Sequence, residues 1–153
     1  PDEPFGATPL LCAVHRNDRE MVDVLHRAGA DINARSDWWA GSFGVLDHDG
    51  SLTELLISRG AVVDVHAAAR LGMIDRLDAL VSADPALVHA RGGDGQTALH
   101  FASSIAVAQW LLDHGADIDA RDIDHESTPA RRAAAPDGSH ARRPSARGRL
   151  RNR

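Results

Sequence analysis

The sequence predicts an all-α solenoid of stacked helix-turn-helix units whose connections end in loop or β-turn tips. A ten-residue segment recurs, as RAGADINARS at 27–36 and DHGADIDARD at 113–122, with a weaker copy, SRGAVVDVHA, at 58–67. Self-similarity at a period of about 20–50 residues is the signature of a repeat array. Apolar residues make up 43% of the 153 residues, which is typical of a packed rather than a disordered chain.

Repeat one, at about residues 3–35, shows the unit most clearly. Thr8 places a capping hydroxyl before Pro9, which suits the first helical position because its missing N–H would have no partner there. A second, amphipathic helix is expected in REMVDVLHRA at 19–28. Gly29 should end that helix in the left-handed conformation that only glycine adopts without strain.

Repeats two and three, at about 36–65 and 66–91, are degraded copies of the unit. In repeat two, SLTE at 51–54 predicts a capping box at the start of the second helix. In repeat three, HAAARLGMIDRLDALVSA at 66–83 predicts two short helices that break near Gly72.

Repeat four, at about 92–121, is shorter than repeat one. Ala102 and Gly115 are 13 positions apart, whereas the matching Ala13 and Gly29 are 16 positions apart. The helix pair of repeat four is therefore expected to lack nearly one turn.

These motifs resemble the ankyrin repeat family, in the form that bacterial proteins carry. The resemblance rests on GATPL at 6–10, GADINA at 29–34, GQTALH at 95–100 and GADIDA at 115–120. It covers about residues 3–130, so 1–130 is expected to be an ankyrin repeat domain of about four repeats with a fifth that is aborted in a stub at 122–130. In this family the fold carries no chemistry, and loop tips and the concave face bind other proteins. The resemblance thus implies a non-catalytic protein-protein interaction module or scaffold.

The loop between repeats one and two carries the best candidates for contact with a partner. Trp38 and Trp39 follow Asp37 at a tip where the pattern expects polar residues. Tryptophan is enriched among the residues that dominate protein interfaces. The alternative is that the tryptophans pack between repeats, Trp39 especially, because it aligns with the threonine of the Thr-Pro motif.

Aspartates crowd the loop side of the array. They are Asp31, Asp37, Asp47, Asp49, Asp117, Asp119, Asp122 and Asp124. We add Asp31, Asp117 and Asp119 to the candidate binding residues, because negative charge would attract a basic partner. The alternative is that aspartates at loop tips form turns and keep the surface hydrated.

The histidines and the single cysteine indicate neither an enzyme nor a metal site. The nine histidines are scattered, and none forms HExxH or a Cys/His pair at ligand spacing. Cys12 lies in the first helix of repeat one and is expected to be a small core residue. No Gly-rich phosphate loop follows a strand. We therefore expect no catalytic residue, no metal and no cofactor.

Two residues of repeat four are expected to be structural. His100 occupies the histidine of the Thr-Pro-Leu-His motif, which in the ankyrin family braces loops through local hydrogen bonds. Trp110 has helical spacing with Val107 and Leu111, so it is expected to face the core.

Residues 131–153 form an Arg-rich tail that differs in composition from the rest of the chain. The tail holds eight arginines and one aspartate, a net charge of +7, whereas residues 1–130 hold nine arginines and 21 acidic residues, a net charge of −12. The tail could bind nucleic acid through its phosphates, or be a disordered, solvated end. A third interpretation is a frameshifted continuation of a longer array, because the tail favours residues with GC-rich codons and the chain contains no lysine.

The fifth repeat and the composition of the chain predict which partners the protein has and where it is located. With the fifth repeat aborted, the apolar end face of repeat four would lack a polar cap, and either marginal stability or self-association through that face is expected. No run approaches 18 apolar residues, so no membrane partner is expected. A single cysteine fits a reducing, cytoplasmic location. The chain begins at Pro1 without a methionine, which suggests a truncated N-terminus.

Overall fold

The computed structural model describes residues 6–37, 41–48, 50–123 and 126–130. Over these residues the chain is helical and contains no β-strand, so the all-α prediction is confirmed. The α-helices are α1 (Pro9–His15), α2 (Arg19–Arg27), α3 (Thr53–Ser58), α4 (Val65–Leu71), α5 (Ile74–Ala83) and α6 (Ile105–Asp113). Three 3₁₀ helices cover Pro85–His89, Gly93–Gly95 and Ala98–Phe101. None of the helices in the described ranges is long and apolar enough to cross a membrane.

Repeat one folds as its sequence predicts. Thr8 is the N-cap of α1, and its hydroxyl accepts a hydrogen bond from the Leu11 N–H at 3.1 Å. Pro9 occupies the first helical turn. Gly29 follows α2 with φ +92°, the left-handed conformation expected of it.

Repeat two has no first helix in the part of the chain that the structure describes. Residues 41–48 form irregular turns instead, and they bury Val45 and Leu46. Apolar side chains therefore reach the core from this segment although it is not helical.

The capping box predicted at 51–54 is wrong. The N-cap of α3 is Leu52, which makes no side-chain hydrogen bond to the helix. The Ser51 hydroxyl donates instead to Oδ1 of Asn17 at 2.9 Å, so it joins repeat two to repeat one. Because Leu52 is the N-cap, Ser51 lies one residue before the cap position, and its hydroxyl binds outside the helix.

Repeat three contains the two short helices that were predicted. Asp64 caps α4 by accepting a hydrogen bond from the Ala67 N–H at 2.9 Å. The break between α4 and α5 falls at Gly72, whose φ is +72°. Repeat four is shortened as expected, because its first helix is a single 3₁₀ turn at Ala98–Phe101.

The two structural residues of repeat four make local contacts. The Thr97 N–H donates to His100 Nδ1 at 3.1 Å, and His100 Nε2 lies 3.1 Å from the Ser127 carbonyl oxygen. His100 thus braces the loops on both sides of its helix, as expected. Trp110 is half-buried and packs against the core of repeats three and four, as expected, and its ring also stacks on His114 with centroids 3.7 Å apart.

The buried apolar residues form two clusters. One belongs to repeats one and two and includes Leu10, Leu11, Val22, Leu46 and Leu56. The other belongs to repeats three and four and includes Leu77, Leu99, Val107 and Leu111. Val63 packs against both clusters, so the core continues from one half of the array to the other.

Candidate protein-binding surface

Three connections in the described part of the chain end in tips that backbone hydrogen bonds close. The bonds run from Ser36 N to Phe43 O (2.8 Å), from Gly92 N to Gln96 O (2.8 Å) and from Asp122 N to Ser127 O (3.0 Å). They enclose residues 37–42, 93–95 and 123–126, which are six, three and four residues. We call residues 36–43 the large tip loop. In repeat proteins, variable loops lie on one face, which is often the binding face.

Arg35 holds the two ends of the large tip loop together. Its guanidinium donates to the carbonyl oxygen (2.9 Å) and the hydroxyl (3.0 Å) of Ser42. It also pairs with Oδ2 of Asp47 at 2.9 Å and with Oδ2 of Asp64 at 3.3 Å. A guanidinium can bind several acceptors at once because its donors form a rigid fork. We call the Ser36–Phe43 hydrogen-bonded pair, together with Ser42, the neck of the loop.

The tips lie in contact with one another. A Cβ atom at Gly93 would overlap the ring of Phe43, which belongs to the large tip loop. A Cβ atom at Gly95 would overlap Ile123 of the following tip. Glycine therefore allows the middle tip to be packed on both sides, and the three tips form one continuous row.

Two of the predicted binding residues form turns. Oδ1 of Asp31 accepts a hydrogen bond from the Asn33 N–H at 2.9 Å, and Oδ1 of Asp117 accepts one from the Asp119 N–H at 2.9 Å. These are the side-chain turns that aspartate favours. All three aspartates, Asp31, Asp117 and Asp119, are also exposed, so their role as contacts stays a prediction.

The other predicted contacts belong to the large tip loop. Asp37 is exposed, and its N–H lies 3.3 Å from the Gly6 carbonyl oxygen. Trp38 and Trp39 lie outside the described residues, so their role also stays a prediction. The structure therefore places Asp37 at the large tip loop, whereas Asp117 belongs to the far end of the array.

Two aspartates that were expected on the acidic loop surface are buried instead. The Asp47 side chain is 4% exposed, and its Oδ2 accepts a hydrogen bond from the Gly44 N–H at 2.6 Å. Asp122 is 5% exposed, and its Oδ1 accepts one from the Ser127 N–H at 2.9 Å. Burial raises the pKa of Asp47, although the Gly44 N–H and the nearby guanidinium lower it. Both carboxylates close loops, which takes them away from the surface.

His66 extends the set of charges around Arg35. Its ring is buried, with Nε2 3.0 Å from the Ala90 carbonyl oxygen and Nδ1 3.9 Å from Oδ1 of Asp64. Burial lowers the pKa of His66, but the attraction of Asp64 and the bond to Ala90 outweigh it, and the pKa is raised above 6.5. Burial likewise raises the pKa of Asp64, but His66, the Ala67 N–H and Arg35 outweigh it and hold that pKa at about 2.

We call Arg35, Asp47, Asp64 and His66 the Arg35 cluster. This cluster was not predicted from the sequence, although one sequence pattern pointed to Arg35. The Ala-Arg ending recurs at Arg35 and Arg91, and Arg91 also reaches the next repeat, where it donates to the Arg121 carbonyl oxygen at 2.8 Å. The recurrence indicated an arginine that links repeats. Its acidic partners lie 12 and 29 positions further along the chain and follow no pattern.

A cavity of about 220 Å³ lies between the end of α1 and the start of α3. Two histidines line it, His15 and His48, whose rings meet edge to face with centroids 4.0 Å apart. Burial lowers the pKa of His15. Among the described residues, no group of three or more His, Cys, Asp or Glu side chains could hold a metal ion. Cys12 is half-buried rather than part of the core.

Comparison with known proteins identifies the repeats. The ankyrin repeat family model matches residues 5–37 and 94–123, which cover most of repeats one and four. Among solved structures, the chain is similar to the Bd0816 predatory endopeptidase from Bdellovibrio bacteriovorus in complex with immunity protein Bd3460. The identity is 20%, the match covers 87% of this chain and 76% of that chain, and the TM-score is 0.46. No curated protein matches the chain in sequence.

Proposed function

We propose, because residues 5–37 and 94–123 match the ankyrin repeat family, that the chain is a non-catalytic module that binds a protein partner through its loop tips and concave face. The observation that carries the proposal is the large tip loop. It encloses six residues where the other two tips enclose three and four. Its sequence also contains Trp38 and Trp39, and tryptophan is the residue type most enriched at the energetic centres of interfaces.

The contacts of three described histidines support a role without catalysis. His100 and His66 bind backbone carbonyl oxygens, and His114 stacks on Trp110. These contacts are those of structural side chains. A cytoplasmic location belongs to the same proposal and rests on the single cysteine.

The partner that we propose is a basic protein surface. Asp31, Asp37, Asp117 and Asp119 are exposed, and residues 1–130 carry a net charge of −12. Opposite charge on the partner would raise the association rate and the specificity more than the affinity. The association rate should therefore fall steeply with added salt, and less so in the Asp37→Asn variant.

A photocrosslinking amino acid at Asp37 tests the proposal in a lysate of the source organism. Crosslinks from this position should identify one protein and should disappear in the Trp38→Ala/Trp39→Ala variant. The matched control carries the same amino acid at Asp78, which is exposed on α5 of repeat three. If the same proteins are captured from Asp78, or if the double tryptophan variant captures as much as the parent, the tip loop is not the binding site.

A second candidate function is nucleic-acid association through the Arg-rich tail. Eight arginines within residues 131–153 favour it, since each phosphate contact releases counterions. DNA or RNA binding that weakens steeply with salt and is lost on deletion of 131–153 would support this function. Binding of a protein partner that survives the deletion would support the first.

Self-association through the end of repeat four is also part of the proposal. Ile105 and Ile118 of this repeat are 88% and 54% exposed. Exposed apolar side chains at the end of a repeat array favour stacking on a second copy. The Ile105→Ser/Ile118→Ser variant should then sediment more slowly than the parent at equal concentration. Identical sedimentation as a monomer would remove this part of the proposal.

A further inference from the structure

The Arg35 cluster sets two carboxylates against one guanidinium. Asp47 and Asp64 both pair with Arg35, and the Asp47 side chain is 4% exposed. With a neutral imidazole at His66, the cluster carries one net negative charge. With an imidazolium it is neutral. Two members of the cluster, Asp47 and His66, are buried, and an unbalanced charge beside them is unfavourable, so the protonation state of His66 affects how the other three side chains pair.

The hydrogen bonds of His66 determine where its second proton binds. A backbone carbonyl oxygen can only accept, so the Nε2 atom that faces the Ala90 carbonyl carries the hydrogen in the neutral ring. The proton is then gained at Nδ1, 3.9 Å from Oδ1 of Asp64. Protonation therefore places positive charge beside the carboxylate that also pairs with Arg35.

His66 faces few other polar groups. Around its ring lie Asp64 at the cap of its own helix, Asp47 from the 41–48 segment, the Ala90 carbonyl and Gly92 backbone from the connection before repeat four, and the ring of Phe101. Two of these groups are anionic and none is cationic. The charge balance at this point of the array is thus set by Arg35 and His66 together.

We propose that the Arg35 cluster is a proton-linked clamp on the neck of the large tip loop. Protonated His66 holds Asp64 and leaves Arg35 to Ser42 and Asp47. When His66 loses its proton, Asp64 draws Arg35 toward itself, and the neck loosens. A further consequence, weaker partner binding as pH rises, rests on the proposed function, whereas the clamp itself does not.

The distances around Arg35 indicate this direction of change. The guanidinium lies 2.9 Å from both the Ser42 carbonyl oxygen and Asp47, but 3.3 Å from Asp64. The longer contact is the one that can shorten when Asp64 loses its other cation. Because Ser42 adjoins Phe43, a shift of the guanidinium acts directly on the hydrogen bonds that close the loop.

The test is a pH titration of the full chain by nuclear magnetic resonance, from about pH 5.5 to about pH 8.5, the range in which histidine titrates. The readouts are the chemical shifts of the His66 ring and of three backbone amides, those of Ser36, Phe43 and Gly44. Each of these amides donates a hydrogen bond at or beside the neck. We expect one common midpoint above 6.5 for the ring and the three amides. Hydrogen-exchange protection of the amides, corrected for intrinsic exchange rates, should fall as pH rises through the midpoint. The fall should reach up to about tenfold for each unit by which the His66 pKa is higher when the neck is closed than when it is open.

Three variants separate the clamp from a general effect of pH. His66→Gln keeps an N–H donor for the Ala90 carbonyl but does not titrate, so the transition of the amides should vanish. Asp64→Asn keeps a residue that caps helices, and the midpoint should move to lower pH. His89→Gln removes an exposed histidine and should leave the transition unchanged.

The clamp is overturned if the amides at the neck keep their transition in His66→Gln, or if His66 titrates while those amides stay constant. If His66→Gln does not fold, two results still test the clamp. They are the shift of the pH midpoint in Asp64→Asn and the common midpoint of the ring and the amides in the parent chain. None of these measurements needs a partner. A failed crosslinking experiment would therefore count against the proposed function but not against the clamp. A failed titration would count against the clamp but not against the proposed function.

Discussion

Repeat one and repeat two occupy neighbouring places in the array but hold their structure in different ways. Repeat one has a helix pair, with Thr8 capping α1. Repeat two replaces the first helix with residues 41–48, which bury Val45 and Leu46 in the same core. The irregular backbone finds its hydrogen-bond partners in arginines, since Arg70 Nε donates to the Leu46 carbonyl oxygen at 2.9 Å. A first helix is thus replaceable if another segment fills the core and its backbone polar groups are satisfied.

The largest effect should come from removing core contacts in the two repeats. We expect Leu10→Ala in repeat one and Leu46→Ala in repeat two to lower the free energy of unfolding by about 3 kcal/mol each, because both leucines are buried in the core. Urea unfolding at neutral pH measures both. A loss below about 1 kcal/mol for Leu46→Ala alone would mean that residues 41–48 do not replace the packing of a helix.

The next largest effect should come from the ionic contacts of repeat two. Arg35→Gln leaves the buried Asp47 carboxylate without its cation and should lower the free energy of unfolding by about 2 kcal/mol. Arg35 is 36% exposed, so this value lies below the range for fully buried pairs. The double variant Arg35→Gln/Asp47→Asn should regain part of the loss. Arg27→Gln, on the exposed surface of α2, is the control and should change the stability by less than about 0.5 kcal/mol.

A smaller effect should separate the two helix starts. Thr8→Ala removes the cap of α1 and should lower the free energy of unfolding by about 1 kcal/mol. Ser51→Ala in repeat two should cost less than about 0.5 kcal/mol, because that hydroxyl makes one exposed hydrogen bond to Asn17 and caps no helix. Equal losses for the two variants in thermal or urea unfolding would show that Ser51 does cap α3 in solution.

The smallest effect should appear in acid. The folded pKa of Asp64 is about 2, below the value of 3.8 for an ordinary aspartate. A carboxyl group with a depressed pKa stabilises the fold above its unfolded pKa, and this stability is lost as pH falls toward the folded value. Asp64 is about one-third exposed, so we expect a loss of less than about 1 kcal/mol between these two pH values.

Asp64→Asn tests this acid effect against a matched variant. Asp64→Asn should lack the component of acid destabilisation that Asp64 contributes. Asp18→Asn replaces the aspartate that caps α2, which forms no ion pair with the described residues, so it is the matched control for the loss of a capping carboxylate alone. If both variants resist acid equally, the contacts of Asp64 with Arg35 and His66 contribute no stability.

Much of the fold could be predicted from local sequence, and the reasons are specific. Thr8, Gly29 and Gly72 act through the backbone of their own helices, so a single motif is enough to place them. Ser51 shows the limit of this approach. Its motif is that of a capping box, but the N-cap of α3 is Leu52, and the Ser51 hydroxyl binds Asn17, 34 positions earlier in the chain.

The candidate site also has one feature that local sequence predicted and one that it did not. The sequence pointed to the large tip loop through its tryptophans, and the hydrogen bond between the ends of this loop encloses six residues, against three and four in the other two tips. Asp47 was expected on the acidic surface but is buried, because Arg35 and the Gly44 N–H both bind it. A local pattern cannot distinguish an aspartate in a solvated turn from one that meets an arginine 12 positions away.

The sequence by itself determined the repeat, its period, the turn glycines and the absence of a recognisable catalytic motif, because these depend on short-range backbone preferences and on spacing along the chain. Only the tertiary structure decided what replaces the first helix of repeat two and which charges meet at Arg35. Those features depend on side chains 12 to 29 positions apart that are brought within 4 Å by stacking. The protonation states of these side chains then depend on how far each is buried. Burial is set by the packing of distant segments, so local sequence does not determine it.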